Sequence, residues 1–122
     1  MNNKILVVDD DEAILDVVKI VLTNEGYDVE THTTGKQLYA LNNSLPSLII
    51  LDVLLSGEDG RDICYYLRKN SITKHIPIIL FSAHSQEDIT YSLPNSTYDR
   101  FLSKPFDIDD LVKTVNNLVK YD

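Results

Sequence analysis

Three short apolar runs set the tightest limit on how this chain folds. They are Ile5-Leu6-Val7-Val8, Leu48-Ile49-Ile50-Leu51 and Ile76-Pro77-Ile78-Ile79-Leu80-Phe81. None alternates with polar residues, so each reads as a strand covered on both faces, as in the interior of a parallel sheet. Tyr27-Asp28-Val29-Glu30-Thr31-His32 does alternate and reads as a strand nearer an edge, and Arg100-Phe101-Leu102-Ser103 as a short fifth strand. Segments of helical period separate them. Ile14, Val18, Val21 and Leu22 form one stripe, stopped by Gly26. Leu38 and Leu41 mark a weaker helix over Gly35 to Leu41, and Ile63 and Leu67 a third over Asp59 to Lys69. A fourth begins near Gln86. Ile108, Leu111, Val112, Val115, Leu118 and Val119 give the clearest amphipathic helix, entered through Pro105-Phe106-Asp107. Five strand-then-helix pairs predict an α/β fold: a five-stranded, doubly wound parallel sheet with helices on both faces.

The 122 residues suit one domain, with a net charge of −8. That acidity argues against direct nucleic-acid contact and against an anionic membrane surface, both of which call for basic patches. A divalent cation or a basic partner remains compatible. One cysteine, Cys64, forms no internal disulfide and has no adjacent basic residue to activate it. No apolar stretch approaches the roughly 20 residues of a membrane span, and nothing at the N-terminus resembles a signal peptide, since the apolar run from Ile5 to Val8 is too short and ends in acids. A cytoplasmic setting follows as the expectation.

In a doubly wound sheet the binding site lies at the carboxyl ends of the strands, where strand order reverses. Here the first strand ends in Asp9-Asp10-Asp11, the third in Asp52, the fourth in Ser82 and the fifth in Ser103-Lys104. Crowded carboxylates repel, so either one is protonated or a cation joins them. Hard oxygen donors without a His or Cys cluster favour Mg²⁺, with Mn²⁺ as a possible substitute. Asp52, the only acid at the end of the central strand, is the candidate nucleophile toward a phosphoryl group, forming an acyl phosphate. Lys104 would neutralise charge on the transferred oxygens and Ser82 would donate a hydrogen bond to one of them. Taken singly, each residue has a plainer reading. Asp9 to Glu12 could be a helix cap and acidic first turn, Asp52 a turn residue and Lys104-Pro105 an exposed turn. Their joint occurrence at four strand ends favours a site.

The segments V-V-D-D-D, L-I-I-L-D-V-L-L-S-G-E-D-G, I-I-L-F-S-A and F-L-S-K-P-F, in this order, resemble the receiver domain of response regulators in two-component signal transduction. The resemblance covers essentially the whole chain, read as a single receiver domain over 1–122 with no output domain. It implies a flavodoxin-like strand order 2-1-3-4-5 with five helices, the fourth short or irregular. It implies a phosphorylation-switched signalling domain rather than an enzyme, one that takes part in its own phosphorylation and slow dephosphorylation. Asp52 would be the phosphoacceptor. Asp9, Asp10, Asp52 and the Leu54 carbonyl would organise Mg²⁺. Ser82 and Phe101 would form the switch toward the fourth helix, fifth strand and fifth helix, and the Lys104-Pro105 bond would be cis. Gly57 and Gly60 match a loop where positive φ is often needed. His84 and Leu54 fall where side chains line the site's entrance. The implied partners are a sensor histidine kinase or a histidine phosphotransfer protein, and a downstream protein, with the domain itself a monomer or weak dimer.

Three departures from the family pattern stand out. Ser56 replaces a frequent proline, which predicts a less rigid loop. Ser92 to Tyr98 replaces a run of small residues. Arg100 and Thr114 stand where receivers that dimerise through their fourth and fifth helices carry Asp and Arg, which argues against that dimer. Other readings compete. A haloacid dehalogenase-type phosphohydrolase needs D-x-D-x-[T/V], and Asp9 to Ala13 meets only its first half. A flavodoxin-type module needs a hydroxyl-rich phosphate loop where three acids stand. A receiver acting only through protein contacts fits poorly with the full set of Asp9, Asp10, Asp52, Ser82 and Lys104.

Overall fold

The three apolar runs become neighbours. The computed structural model describes residues 3–85, 88 and 97–119. In chain order these form β1 (Lys4–Val8), α1 (Glu12–Asn24), β2 (Asp28–His32), a 3-10 helix (Lys36–Ala40), β3 (Leu48–Asp52), β4 (Leu54–Leu55), β5 (Glu58–Asp59), α2 (Gly60–Lys69), β6 (Ile78–Ser82), β7 (Arg100–Ser103) and α3 (Ile108–Val119). The main sheet runs β2-β1-β3-β6-β7 with every pairing parallel. Leaving aside the β4–β5 hairpin, this is the expected order 2-1-3-4-5. Strand order reverses between β1 and β3, so the carboxyl ends of those two strands flank the switch point.

Alternate residues of the interior strands feed two separate cores, which is why the runs are apolar throughout. Leu6, Val8, Ile49, Leu51, Ile78 and Leu80 pack with Ile63 and Leu67 of α2 on one face. Ile5, Val7, Leu48, Ile50, Ile79 and Phe81 pack on the other with Leu15, Val18 and Leu22 of α1 and Leu111, Val115 and Val119 of α3. Each of these apolar strand residues is therefore buried beneath a layer of helix.

Three sequence expectations change. The weak helix over Gly35 to Leu41 is a five-residue 3-10 turn with Leu38 as its only buried residue, too little apolar surface to sustain a longer α-helix. The hairpin formed by β4 and β5, pairing Leu54 with Asp59 and Leu55 with Glu58, was not anticipated, because two-residue strands leave no periodicity to read. Strand β6 starts at Ile78 rather than Ile76. The Pro77 carbonyl still accepts the Ile49 amide at 3.0 Å, but proline has no N–H with which to extend the ladder. Among the described residues there are three α-helices, where the family pattern implies five. The expected fourth helix and most of the unusual 92–98 stretch lie outside the described residues.

Candidate functional site at the carboxyl edge of the sheet

Four strand ends deliver the chemistry. Asp9 follows β1 directly, and its amide donates to the His32 carbonyl (3.1 Å), continuing the ladder one residue past the strand. Asp52 is the last residue of β3, Ser82 the last of β6, and Lys104 follows β7. The Lys104 amide donates to the Ser82 carbonyl (2.8 Å), and the Lys104-Pro105 bond is cis, as the family pattern implies. Beyond it, Phe106 stacks on Phe81 with ring centroids 5.1 Å apart and planes at 12°, anchoring the loop that carries the lysine to the sheet. The sequence reading gave Phe106 no such role.

The side chains converge. Asp9 is 0% exposed and Asp52 5%, while Asp10 is exposed. Carboxylate oxygens of all three lie within 4.8 Å of one another. Lys104 Nζ sits 2.7 Å from Asp9 Oδ2 and 3.3 Å from Asp52 Oδ2. A crevice of about 300 Å³ opens between Asp10, Ile14, Asp52, Leu54, Ser82 and Lys104. All the sequence-predicted acids, Ser82 and Lys104 therefore meet in one place.

Each carboxylate is held differently. Asp9 Oδ1 accepts the Asp11 amide (2.9 Å), and Asp52 Oδ1 accepts the Leu54 amide (3.4 Å). Asp11 instead caps α1, accepting from the Ala13 and Ile14 amides, and Glu12 stands in the first turn, so the plainer reading of cap and acidic first turn holds for these two acids of the run. Burial pushes the Asp52 carboxyl up to about 6, with the neighbouring Asp9 charge adding to the rise and Lys104 opposing it. Burial pulls Lys104 down, but the two carboxylates outweigh it and hold its pKa above the ordinary lysine value.

Three carboxylates face one ammonium, an excess of negative charge that a divalent cation would balance. The buried Asp9 Oδ2 has Lys104 as its charge partner but no aligned hydrogen-bond donor. An all-oxygen donor set beside an open crevice suits Mg²⁺, which keeps several waters and takes one or two carboxylates. The residues present fit that ion.

Around the acids, Ser82 is buried and its Oγ accepts the His84 amide at 3.0 Å. Phe101 is half-buried, its ring 6.4 Å from that of the buried Tyr98. Leu54 and His84 are exposed and share a small cavity with Arg61 and Asp88 beside the crevice. Gly57 adopts φ +75, as the family loop suggests. Gly60 does not. Its reason is space, since a Cβ there would lie 2.2 Å from the Asp52 carbonyl oxygen. Ser56, expected to loosen the loop, instead ties it to Asp10 through its amide (3.0 Å) and its hydroxyl (2.8 Å). Cys64 is buried, and burial pushes its thiol up to about 12, so it is an inert core residue.

Fold and site together define a doubly wound α/β domain with an acidic, lysine-spanned crevice at its switch point. The chain belongs to the response regulator receiver domain family, whose model matches residues 5–116. It is 37% identical over 96% of its length to the DNA-binding dual master transcriptional regulator RpaA of Synechocystis. It is also 37% identical over 99% of its length to the response regulator PleD of Caulobacter vibrioides. The chain spans 49% of the first protein and 27% of the second. Among solved structures, the receiver domain of the Francisella response regulator 1452 superposes with a TM-score of 0.86 at 33% identity, covering 98% of both chains. Receiver domains are the signalling modules of two-component phosphorelays, and they work with histidine kinases or phosphotransfer proteins. No helix among the described residues is long and apolar enough to cross a membrane.

Proposed function

We propose that this domain accepts a phosphoryl group on Asp52 from a phosphohistidine of a sensor kinase or histidine phosphotransfer protein, with Mg²⁺ as cofactor. The supporting observation is the placement of a nearly buried carboxylate at the end of the central strand, beside a second buried acid and a lysine that reaches both. Family membership agrees with it.

An ionised Asp52 oxygen attacks phosphorus opposite the P–N bond of the phosphohistidine. A P–O bond forms as the P–N bond breaks, and the imidazole leaves with the electron pair. Asp9, Asp10, Asp52 and the Leu54 carbonyl would hold the ion, which when bound supplies positive charge against the transferred oxygens. Lys104, 3.3 Å from Asp52 Oδ2, stabilises the charge on the other side without needing to move far. Ser82 Oγ accepts from the His84 amide while its own O–H remains available to donate to a phosphoryl oxygen. Drawing Ser82 toward the new phosphoryl group would vacate space for Phe101 to turn inward. That would bias a two-state equilibrium read on the surface formed by β7 and α3.

A direct test incubates the protein with a small acyl-phosphate donor, with and without Mg²⁺, and measures intact mass. One added phosphoryl group requiring both Mg²⁺ and Asp52 is expected. Equal labelling of Asp52→Asn, or no labelling of the wild type, contradicts the proposal.

A further inference from the structure

Ser56 lies in the turn between β4 and β5, yet both of its polar donors reach back to the end of β1. Its amide and its hydroxyl converge on the same atom, Asp10 Oδ2, at 3.0 and 2.8 Å. We infer that Ser56 is a positioning residue for the divalent cation, fixing the Asp10 carboxylate in its ligating orientation. This rests on the proposed reading of Asp9, Asp10 and Asp52 as the ion's ligands.

Asp10 is exposed, in contrast to the buried Asp9 and Asp52. An exposed carboxylate samples several rotamers and loses that freedom on binding an ion. Two hydrogen bonds to one oxygen restrict it beforehand and leave Oδ1 with its lone pairs for a cation. An oxygen of Asp10 already lies within 4.8 Å of its counterparts on Asp9 and Asp52, so the tethered rotamer is compatible with all three sharing one ion. Metal-bound carboxylates are commonly held by such outer partners, and losing one typically weakens binding about 10–100-fold. A proline in place of Ser56 would offer neither donor. This chain thus builds an ion-site tether out of a turn position that has no carboxylate of its own.

The test compares wild type with Ser56→Ala, Ser56→Thr and Ser56→Pro. Each metal-free protein is titrated with MgCl₂ alone and followed by backbone amide chemical shifts, and its metal-free stability is measured in urea. In Ser56→Ala the amide bond survives, so Kd should rise by about 3–10-fold, below the range for complete loss of a partner. Ser56→Pro should weaken binding further, and Ser56→Thr should restore it to within about twofold of wild type, while the metal-free stability of Ser56→Ala stays unchanged. Ser56→Ala binding as tightly as wild type overturns the inference. Tighter binding does so as well, because Ser56 would then be withdrawing Asp10 from the ion. A wild type that gives no saturable shift overturns the ion reading and this inference together. Saturable wild-type binding with an unaffected Ser56→Ala removes the inference alone.

Discussion

At the scale of single residues, the site is governed by charge held out of water. The Asp52 carboxyl is raised from 3.8 to about 6, first by burial and then by Asp9. A carboxyl whose pKa is higher in the folded than in the unfolded chain binds its proton more tightly when folded. It therefore contributes stability at low pH that is lost as pH rises through about 6. Asp52→Asn removes that dependence. Without metal, the variant should gain on wild type between about pH 4 and pH 7 and hold the advantage above, by on the order of 2–3 kcal/mol at most. Urea unfolding of both proteins in chelator across this range measures the gap, and a gap independent of pH contradicts the assignment. The strain has a use in the proposed chemistry, because a divalent cation relieves a repulsion already present.

At the scale of elements, the site depends on how closely α2 abuts β3. Gly60, the first residue of α2, has its amide bonded to the Val53 carbonyl (2.7 Å). A Cβ on Gly60 would meet the Asp52 carbonyl oxygen at 2.2 Å and Val53 Cα at 2.9 Å. These are backbone atoms and cannot swing aside. Gly60→Ala should therefore push the helix start away from the strand end, costing about 1–3 kcal/mol or somewhat more. It should also weaken Mg²⁺ binding, because Asp52 moves with its backbone. Denaturant unfolding and the MgCl₂ titration check the two effects. Loss of stability with unaltered ion affinity would mean that the clash is absorbed by α2 alone. This proximity leaves no mark along the chain: a glycine held by close approach and one held by positive φ look alike in a sequence.

At the scale of the molecule, two cores on opposite faces of one sheet support a site at its edge. Leu111 and Val115 of α3 are fully buried in the core shared with α1. Leu111→Ala deletes buried methyl groups there and should destabilise the fold by about 2–5 kcal/mol. Since α3 contributes no side chain to the crevice lining, ion affinity measured well below the unfolding transition should stay within about twofold of wild type. A large change in affinity would show that the α3 face is coupled to the site even without phosphorylation.

The sequence by itself determined the sheet, because apolar runs without alternation have only one economical home, between two layers of helix. It also marked Asp9, Asp10, Asp52, Ser82 and Lys104, since residues that close parallel strands must share an edge. The helix cap at Asp11 and the stop at Gly26 are local geometry and were legible for that reason. The tertiary structure alone decided which acid is buried and which exposed, because burial depends on the layers above the strand and not on the neighbours along it. It decided that Ser56 tightens rather than loosens its turn, since the partner it bonds lies 46 residues away. It placed Phe106 on Phe81 and made Gly60 a close contact instead of a positive-φ position. Each of these is a long-range meeting, and no local pattern in the chain encodes where two distant segments touch.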